Sequence, residues 1–167
     1  SGFVFAGAYL GRTASTRGFV VNRLARLYPL HLLTLLIVTL LQAVALARLG
    51  TTLIYGHYDP ADFAAQLLFA SNWVDSTRHT FNGPIWSVSV EVLVYLLFWL
   101  LRAPLNRMRP AGFLLLLLGC LLAVPFAGPS QVPACAFFFF AGVWVFRLLP
   151  LALAAPRVTG GIALGAF

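Results

Sequence analysis

Residues 28–49 read YPLHLLTLLIVTLLQAVALARL, and this stretch decides the class of the fold. A helix needs about 20 predominantly apolar residues to cross the hydrocarbon core of a bilayer, and this run supplies them. Its proline, Pro29, falls in the first turn, where helix amides have no partner and a proline leaves the hydrogen bonding intact. We therefore predict a transmembrane helix over residues 28–49.

The composition of the whole chain also indicates that the protein lies in a membrane. Of the 167 residues, 61% are hydrophobic and 9% are charged, whereas a soluble domain carries about 25% charged residues. A soluble fold could not cover so much apolar surface with so few polar groups, so lipid must be the solvent. The net charge is +7, yet every basic residue is an arginine that lies between apolar runs. This placement is typical of membrane topology and argues against nucleic acid as a partner.

The other apolar runs predict an all-α, polytopic transmembrane helix bundle. Three are whole spans near the lower length limit, and two are partial spans at the ends of the chain; the ranges are 85–101, 111–126, 132–149, 1–10 (partial) and 158–167 (partial). Residues 61–73 are apolar but short, and they include Asp62, Gln66 and Asn72. We interpret them as an interfacial or re-entrant helix. Both ends of the sequence look cut within apolar runs, so we expect a fragment of a longer domain.

The arginines predict which connections face the cytoplasm. Three connections are rich in arginine, namely the loop with Arg12, Arg17, Arg23 and Arg26, the loop with Arg102, Arg107 and Arg109, and the last turn with Arg147 and Arg157. Residues 50–84 instead hold three aspartates and one arginine, and residues 128–131 hold no charge. The positive-inside rule then places the arginine-rich connections inside and the other two outside.

Arg23 and Arg26 enter the helix of residues 28–49 at a spacing of three. If the helix already begins at Arg23, this spacing puts both guanidinium groups on one face. Paired guanidinium groups suit bidentate recognition of phosphate or pyrophosphate. The alternative is that both arginines only fix the topology, as arginines at cytoplasmic helix ends commonly do.

Glu91 lies inside the predicted span 85–101, where an acid is costly and faces a bundle interior or a water-filled cavity. Ser87, Glu91 and Tyr95 recur at a spacing of four and share one polar face. One interpretation is a catalytic or substrate-orienting carboxyl group. The other is a structural hydrogen bond between helices.

The connection before this span, residues 78–86, offers His79, Asn82 and Trp86, which are side chains suited to holding a sugar. His31 lies near a helix start and is expected to be satisfied within the bundle. Cys120 and Cys135 lie in apolar runs without an accompanying acidic or histidine cluster, so we expect neither a disulfide nor a metal site.

Two segments carry a resemblance to a known family. Residues 82–91, NGPIWSVSVE, with Tyr95 after them, resemble the Trp-Ser-Leu-Ser-Val-Glu signature of acyltransferase family 3. Residues 19–33, FVVNRLARLYPLHLL, resemble the Arg-x-x-Arg segment, proline and third span of the same family. Weaker matches at residues 1–4 and 138–148 follow in the family's order. Val92 departs from the pattern, since the family often has a second acid there.

The resemblance implies an integral membrane acyltransferase that modifies cell-surface polysaccharides and related glycosylated molecules in the bacterial inner membrane. It implies no bound cofactor, an acyl-CoA co-substrate such as acetyl-CoA whose phosphates meet Arg23 and Arg26, and a hydroxyl acceptor. Glu91 would orient a histidine or hold the acceptor. The acceptor-binding candidates are Trp86, Ser87, Ser89, Tyr95, His79 and Asn82. The family has about ten spans, and its proposed catalytic histidine would lie upstream of Ser1.

Two other classes of protein would also explain an acidic residue buried in a membrane bundle. One is a transporter or flippase-like protein in which Glu91 relays a proton or substrate and the arginines fix topology. The other is a structural subunit without chemistry. The ordered pair of Arg-x-x-Arg and Trp-Ser-x-Ser-Val-Glu favours the enzyme.

Overall fold

The computed structural model of this protein describes residues 1–53, 55, 56 and 58–154. Within these residues the chain forms α-helices and short 3-10 turns, without a strand. The helices are α1 (Gly2–Tyr9), α2 (Thr16–Leu49), α3 (Pro60–Leu67), α4 (Trp86–Arg107), α5 (Pro110–Ala123) and α6 (Val132–Ala154). The 3-10 turns Gly83–Ile85 and Val124–Phe126 precede α4 and follow α5. The predicted all-α class is confirmed, and the predicted partial span 158–167 lies outside the described residues.

Among the described residues, three helical stretches are long and apolar enough to cross a bilayer, namely Thr16–Leu49, Gly83–Arg107 and Val132–Pro150. Pro110–Phe126 is apolar but shorter. Their outward surfaces carry exposed leucines, such as Leu40 on α2, Leu100 on α4 and Leu115 on α5. Such a surface suits lipid, because its apolar side chains face the hydrocarbon while the interior of the helix satisfies its own backbone polar groups. The chain is therefore a multi-pass helix bundle of the membrane.

α2 begins twelve residues before the predicted span at residue 28, at Thr16. Ser15 caps it, and its Oγ accepts a hydrogen bond of 3.0 Å from the amide of Gly18. No proline lies between Thr16 and Tyr28, and leucine, alanine and arginine favour helix, so nothing ends the helix there. Arg23 and Arg26 consequently lie inside α2, and the interpretation of this stretch as a loop is corrected.

The core is an aromatic cluster between α1, α2, α4 and α6. Phe5 is central to it, because its ring lies 4.4 Å from Tyr95, 5.7 Å from Phe98 and 5.3 Å from Phe139. At one end of the cluster Phe19 of α2 stacks on Trp99 of α4 at 4.3 Å. These contacts fix α2 and α4 side by side in opposite directions.

α1 and α6 pack closely because small residues face each other. A Cβ added to Gly142 would lie 2.9 Å from the backbone nitrogen of Phe3, and one added to Gly2 would overlap the carbonyl of Phe139. Small residues allow helices in membranes to approach to van der Waals contact, which replaces the missing hydrophobic drive between them. The short α1 is thereby held against the bundle, next to α2 and α4.

The connections gather at two ends of the bundle. At the acidic end, formed by residues 50–85 and 127–131, Ser130 donates to the carbonyl of Trp73 and Ser76 bonds both Pro129 and Gln131. At the arginine-rich end, formed by residues 10–15 and 107–109, Arg147 donates to the carbonyls of Leu105 and Met108. The two connections predicted to share the outer side thus contact each other.

α3 covers only the first part of residues 61–73, and at eight residues (Pro60–Leu67) it is too short to span a bilayer. Asp59 caps α3 through a bond of 2.8 Å from the amide of Asp62, and the helix ends at Leu67, before Phe69 with its positive φ of 55°. Gln66 is 1% exposed, and its amide nitrogen donates to the carbonyl and hydroxyl oxygens of Thr80. The carbonyl of Gln66 accepts a hydrogen bond from His31 of α2, and that of Phe69 accepts one from Ser89 of α4, so the segment packs against both helices. Its position relative to the bilayer stays a prediction.

Candidate functional site

A cavity of about 380 Å³ opens between α1, α2 and α4, and we call it the arginine cavity. Phe5 of α1 is among its walls, and its polar side chains are Arg23 and Arg26 of α2, Glu91 and Tyr95 of α4, and Ser1 and Tyr9 at the two ends of α1. The two segments that carry the family resemblance thus meet at one site. The antiparallel placement of α2 and α4 brings them together, since the Phe19–Trp99 stack sets the register.

Arg23 and Arg26 form no ion pair within the part of the chain that the structure describes. Among the described residues the ion pairs are those of Arg78 with Asp59 and Asp62 at the acidic end. The guanidinium carbon of Arg23 lies 4.7 Å from the centre of the Phe5 ring, and its Nε is buried without a hydrogen-bond partner in the described structure. A buried donor without a partner is uncommon in folded proteins and marks a place for a ligand or water.

Glu91 is held by its neighbour one turn along α4. Tyr95 donates a hydrogen bond of 2.8 Å from its hydroxyl to Oε2 of Glu91, and the Tyr95 ring stacks on Phe5. Of the three residues on the predicted polar face, Glu91 and Tyr95 therefore contact each other. Ser87 lies a turn earlier and is exposed.

A second cavity, also of about 380 Å³, lies between α2 and the start of α4, and we call it the Asn82 cavity. His31, Thr34 and Asn82 give it a polar side, while leucine, isoleucine, valine and proline side chains line the remainder. Arg26 and Leu27 belong to both cavities. The two cavities are therefore neighbours along α2, with Arg26 between them.

The predicted acceptor-binding residues are not gathered into one cluster. Ser89 is buried in a structural contact, since its hydroxyl donates to the carbonyl of Phe69 at 2.7 Å and accepts from the amide of Asn72. Trp86 and Ser87 lie on the exposed start of α4. The ring of His79 lies in the connection at the acidic end, 5.9 Å from a tyrosine ring.

Tyr95 lines the arginine cavity, and Asn82 lines the Asn82 cavity. The hydrogen bonds of Ser89 tie α4 to the connection after α3, whereas that of Glu91 lies within α4. His31 is satisfied within the bundle as predicted, because its Nε2 donates to the carbonyl of Gln66 at 2.9 Å. Thr34 and Phe5 were not singled out from the sequence. The spacing of three between His31 and Thr34 indicates that both lie on one face of a helix. Nothing in the sequence marks Phe5 as a cavity residue.

Charges at the acidic end are used in local structure. The amide of Asp62 bonds the Asp59 carboxylate and lowers the pKa of Asp59 below its usual range, and the nearby Arg78 acts in the same direction. The hydroxyl and amide of Thr77 lower the pKa of Asp75 similarly. These groups cap α3 and tie the connection at the acidic end.

Comparison with known families settles the class of protein. A family model described as an acyltransferase domain, that of acyltransferase family 3, matches residues 1–167. The chain belongs to this family. No curated protein and no solved structure matches the chain. The resemblance drawn from residues 19–33 and 82–91 is confirmed, and the chain is a membrane acyltransferase rather than a transporter or a structural subunit.

Proposed function

We propose that this membrane acyltransferase takes an acyl group from acyl-CoA, such as acetyl-CoA, and transfers it to a hydroxyl of a carbohydrate or glycosylated acceptor. The observation that carries the proposal is the pair of arginines without acidic partners in the arginine cavity. Two guanidinium groups beside one carboxyl group leave a net positive site. Its natural occupant is an anion that accepts several hydrogen bonds, as a phosphate does.

The position of the cavity fits a donor that enters from the cytoplasm. The arginine cavity is lined by α1 and the first half of α2. The end of α1 at Tyr9 and the start of α2 at Thr16 both lie next to the arginine-rich end. The positive-inside rule assigns that end to the cytoplasm of the bacterial inner membrane. Acyl-CoA is a cytoplasmic metabolite, so its phosphates would reach Arg23 and Arg26 without crossing the bilayer.

The transfer itself requires a base and a stabilised oxyanion. A base removes the proton from the acceptor hydroxyl, the oxygen attacks the thioester carbonyl, and the carbon–sulfur bond breaks to release CoA. Glu91 is placed to orient such a base or to hold the acceptor hydroxyl, because Tyr95 fixes one of its oxygens and the other is not held by that contact. The base that the family resemblance implies is a histidine upstream of Ser1.

Kinetics with varied acetyl-CoA test the donor assignment. Alanine at Arg23 or Arg26 should raise the KM for acetyl-CoA about tenfold or more, because a hydrogen bond to a charged group contributes about 1.5–3 kcal/mol. Lysine should restore part of the affinity, since an ammonium group lacks the planar fork of a guanidinium. Arg17→Ala is the matched control, because Arg17 is an exposed arginine on the same helix.

The outcome that would contradict the assignment is equally specific. A double alanine variant of Arg23 and Arg26 that inserts normally and keeps the wild-type KM for acetyl-CoA would reduce both residues to topology determinants. A loss of the same size in Arg17→Ala would show that overall charge, and not the cavity, is responsible.

A further inference from the structure

The polar side of the Asn82 cavity is a short hydrogen-bonded chain whose proton positions can be worked out. The amide nitrogen of Asn82 lies 2.8 Å from Oγ1 of Thr34 and 3.4 Å from Nδ1 of His31. The backbone amide of Asn82 donates to the side-chain oxygen of Gln66. Asn82 is therefore held on three sides by α2 and α3, and it is a fixed group.

The tautomer of His31 follows from its other contact. Nε2 of His31 lies 2.9 Å from the backbone carbonyl of Gln66. A carbonyl oxygen only accepts, so Nε2 must carry the hydrogen. In the neutral ring Nδ1 is then an acceptor, and it faces Asn82.

Thr34 also presents an acceptor to Asn82. Its hydroxyl lies 2.9 Å from the backbone carbonyls of Leu30 and of His31. The single hydroxyl proton is directed to these carbonyls, because neither of them can donate. The remaining lone pair of the Thr34 oxygen therefore receives the hydrogen bond from Asn82.

Both neighbours of the Asn82 amide are acceptors, and this fixes which end of the amide faces them. Amide nitrogen and oxygen are assigned from the hydrogen-bond network, and here the network places the NH2 group toward His31 and Thr34. The oxygen Oδ1 then points the other way. No described residue donates a hydrogen bond to Oδ1. Because Oδ1 is also not one of the buried side-chain atoms without a partner, it is accessible to a ligand.

We infer that the Asn82 cavity is the subsite for the acyl acceptor, in which Oδ1 of Asn82 accepts a hydrogen bond from a hydroxyl of an uncharged sugar. The inference rests on the proposed function, because it assigns the second substrate of the same reaction. The cavity shares Arg26 and Leu27 with the arginine cavity. An acceptor bound there would lie next to the donor and to Glu91.

The chemistry of the cavity favours a neutral ring over an acidic one. Its walls beside Asn82 are Leu30, Pro84, Ile85 and Val88. Such side chains would pack against the apolar faces of a bound sugar. The N–H groups of Asn82 and His31 are already used within the chain. Arg26 also lines this cavity, but the proposed function assigns it to the donor phosphates, so it is not counted as a partner for an acidic sugar. A free amide oxygen repels a carboxylate, whereas it accepts a hydrogen bond from a hydroxyl.

The test compares two matched glycosides as acceptors for radiolabelled acetyl-CoA, with the full-length protein in lipid nanodiscs. We expect transfer to n-octyl β-D-glucopyranoside and at least tenfold less efficient transfer to n-octyl β-D-glucuronide. Asn82→Ala should raise the KM for the glucoside about tenfold, the loss of one hydrogen bond, and leave the KM for acetyl-CoA unchanged. An unchanged glucoside KM in the folded variant, or a preference for the glucuronide, would overturn the inference.

A second pair of variants guards against a folding defect in Asn82→Ala. Thr34→Val removes the acceptor that orients the amide and should raise the glucoside KM by a smaller factor. Thr39→Val removes a hydroxyl that bonds the carbonyl of Leu35 on the same helix and should leave both KM values unchanged. Equal effects of the two valine variants would count against the orientation argument.

Different results would contradict the acceptor subsite and the proposed function. Release of CoA that neither glycoside accelerates would overturn the acceptor subsite and leave the donor assignment standing. Absence of any CoA release from acetyl-CoA, with the native acceptor present in the membranes, would contradict the proposed function itself.

Discussion

Glu91→Gln separates a chemical role from a structural role at the centre of the arginine cavity. Glutamine keeps the size of the side chain, and its carbonyl oxygen can accept the same 2.8 Å hydrogen bond from Tyr95. The bond weakens from one made to a charged group, about 1.5–3 kcal/mol, to one made to a neutral group, about 0.5–1.5 kcal/mol. The structural effect of the substitution is therefore a loss of about 1 kcal/mol in the free energy of unfolding.

A chemical role predicts a much larger change in rate. If the charge of Glu91 orients a base or polarises the acceptor hydroxyl, acyl transfer should fall at least 100-fold, which corresponds to about 2.7 kcal/mol in the barrier. Tyr95→Phe is the matched variant, because it deletes the hydrogen bond and keeps the ring stacked on Phe5. It should slow the reaction less than Glu91→Gln does.

The assay is acetyl transfer per mole of folded protein, with thermal unfolding measured in the same preparation. Reading both quantities together prevents a loss of folded protein from being counted as a loss of chemistry. A well-folded Glu91→Gln variant with near-normal turnover would refute the reasoning and make Glu91 a packing residue.

Three further predictions concern packing, topology and pH. Gly142→Ala should destabilise the bundle by about 1–3 kcal/mol in thermal unfolding, because the new Cβ would lie 2.9 Å from a backbone nitrogen of α1, whereas Gly119→Ala, which meets nothing within 4 Å, should be neutral or stabilising by up to about 1 kcal/mol. In intact cells with a cysteine-free background, a membrane-impermeant thiol reagent should label cysteines at Asp59 and Gln131 and spare one at Arg107; labelling at Arg107 would reverse the orientation. The pKa of Asp59 is lowered on folding, so its contribution to stability is present above its ordinary pKa of 3.8 and is lost as pH falls through the lower folded value. In that pH range, hydrogen exchange of the amides at the start of α3 should accelerate by more than the intrinsic pH effect. An Asp59→Asn variant with the same pH dependence would contradict this.

The fold class and the two key segments were predictable because they depend on local composition. Apolar runs predict helices in lipid directly, and residues 82–91 carry a specific pattern that the family match confirms. The pairing of Glu91 with Tyr95 also follows from a spacing of four on one helix. Periodicity within a single helix is the information that a sequence displays most openly.

The helix boundaries and the composition of the cavities were less accessible. α2 starts at Thr16, before the predicted span, because arginines limit an apolar run but are compatible with helix. The inward turn of Ser89 and the exposure of Ser87 depend on which side of α4 meets residues 60–82. Such tertiary contacts between distant segments leave no periodic trace in the sequence.

The second cavity shows the same limit. His31 and Asn82 are 51 residues apart in the chain, and their contact depends on the way α3 folds back over α2. The sequence indicated each as a polar residue near a membrane helix end, but it contained nothing that joined them.

The central claim, that Arg23 and Arg26 bind the phosphates of the acyl donor, is tested most directly by comparing the binding of CoA with that of pantetheine. Pantetheine keeps the thiol arm of CoA and lacks its phosphates, so the arginines should affect only CoA. The account predicts that wild-type protein in nanodiscs binds CoA more tightly than pantetheine, and that the Arg23→Ala, Arg26→Ala double variant loses this difference while its affinity for pantetheine is unchanged. A double variant that binds CoA as tightly as wild type, or that loses affinity for both compounds equally, would contradict it.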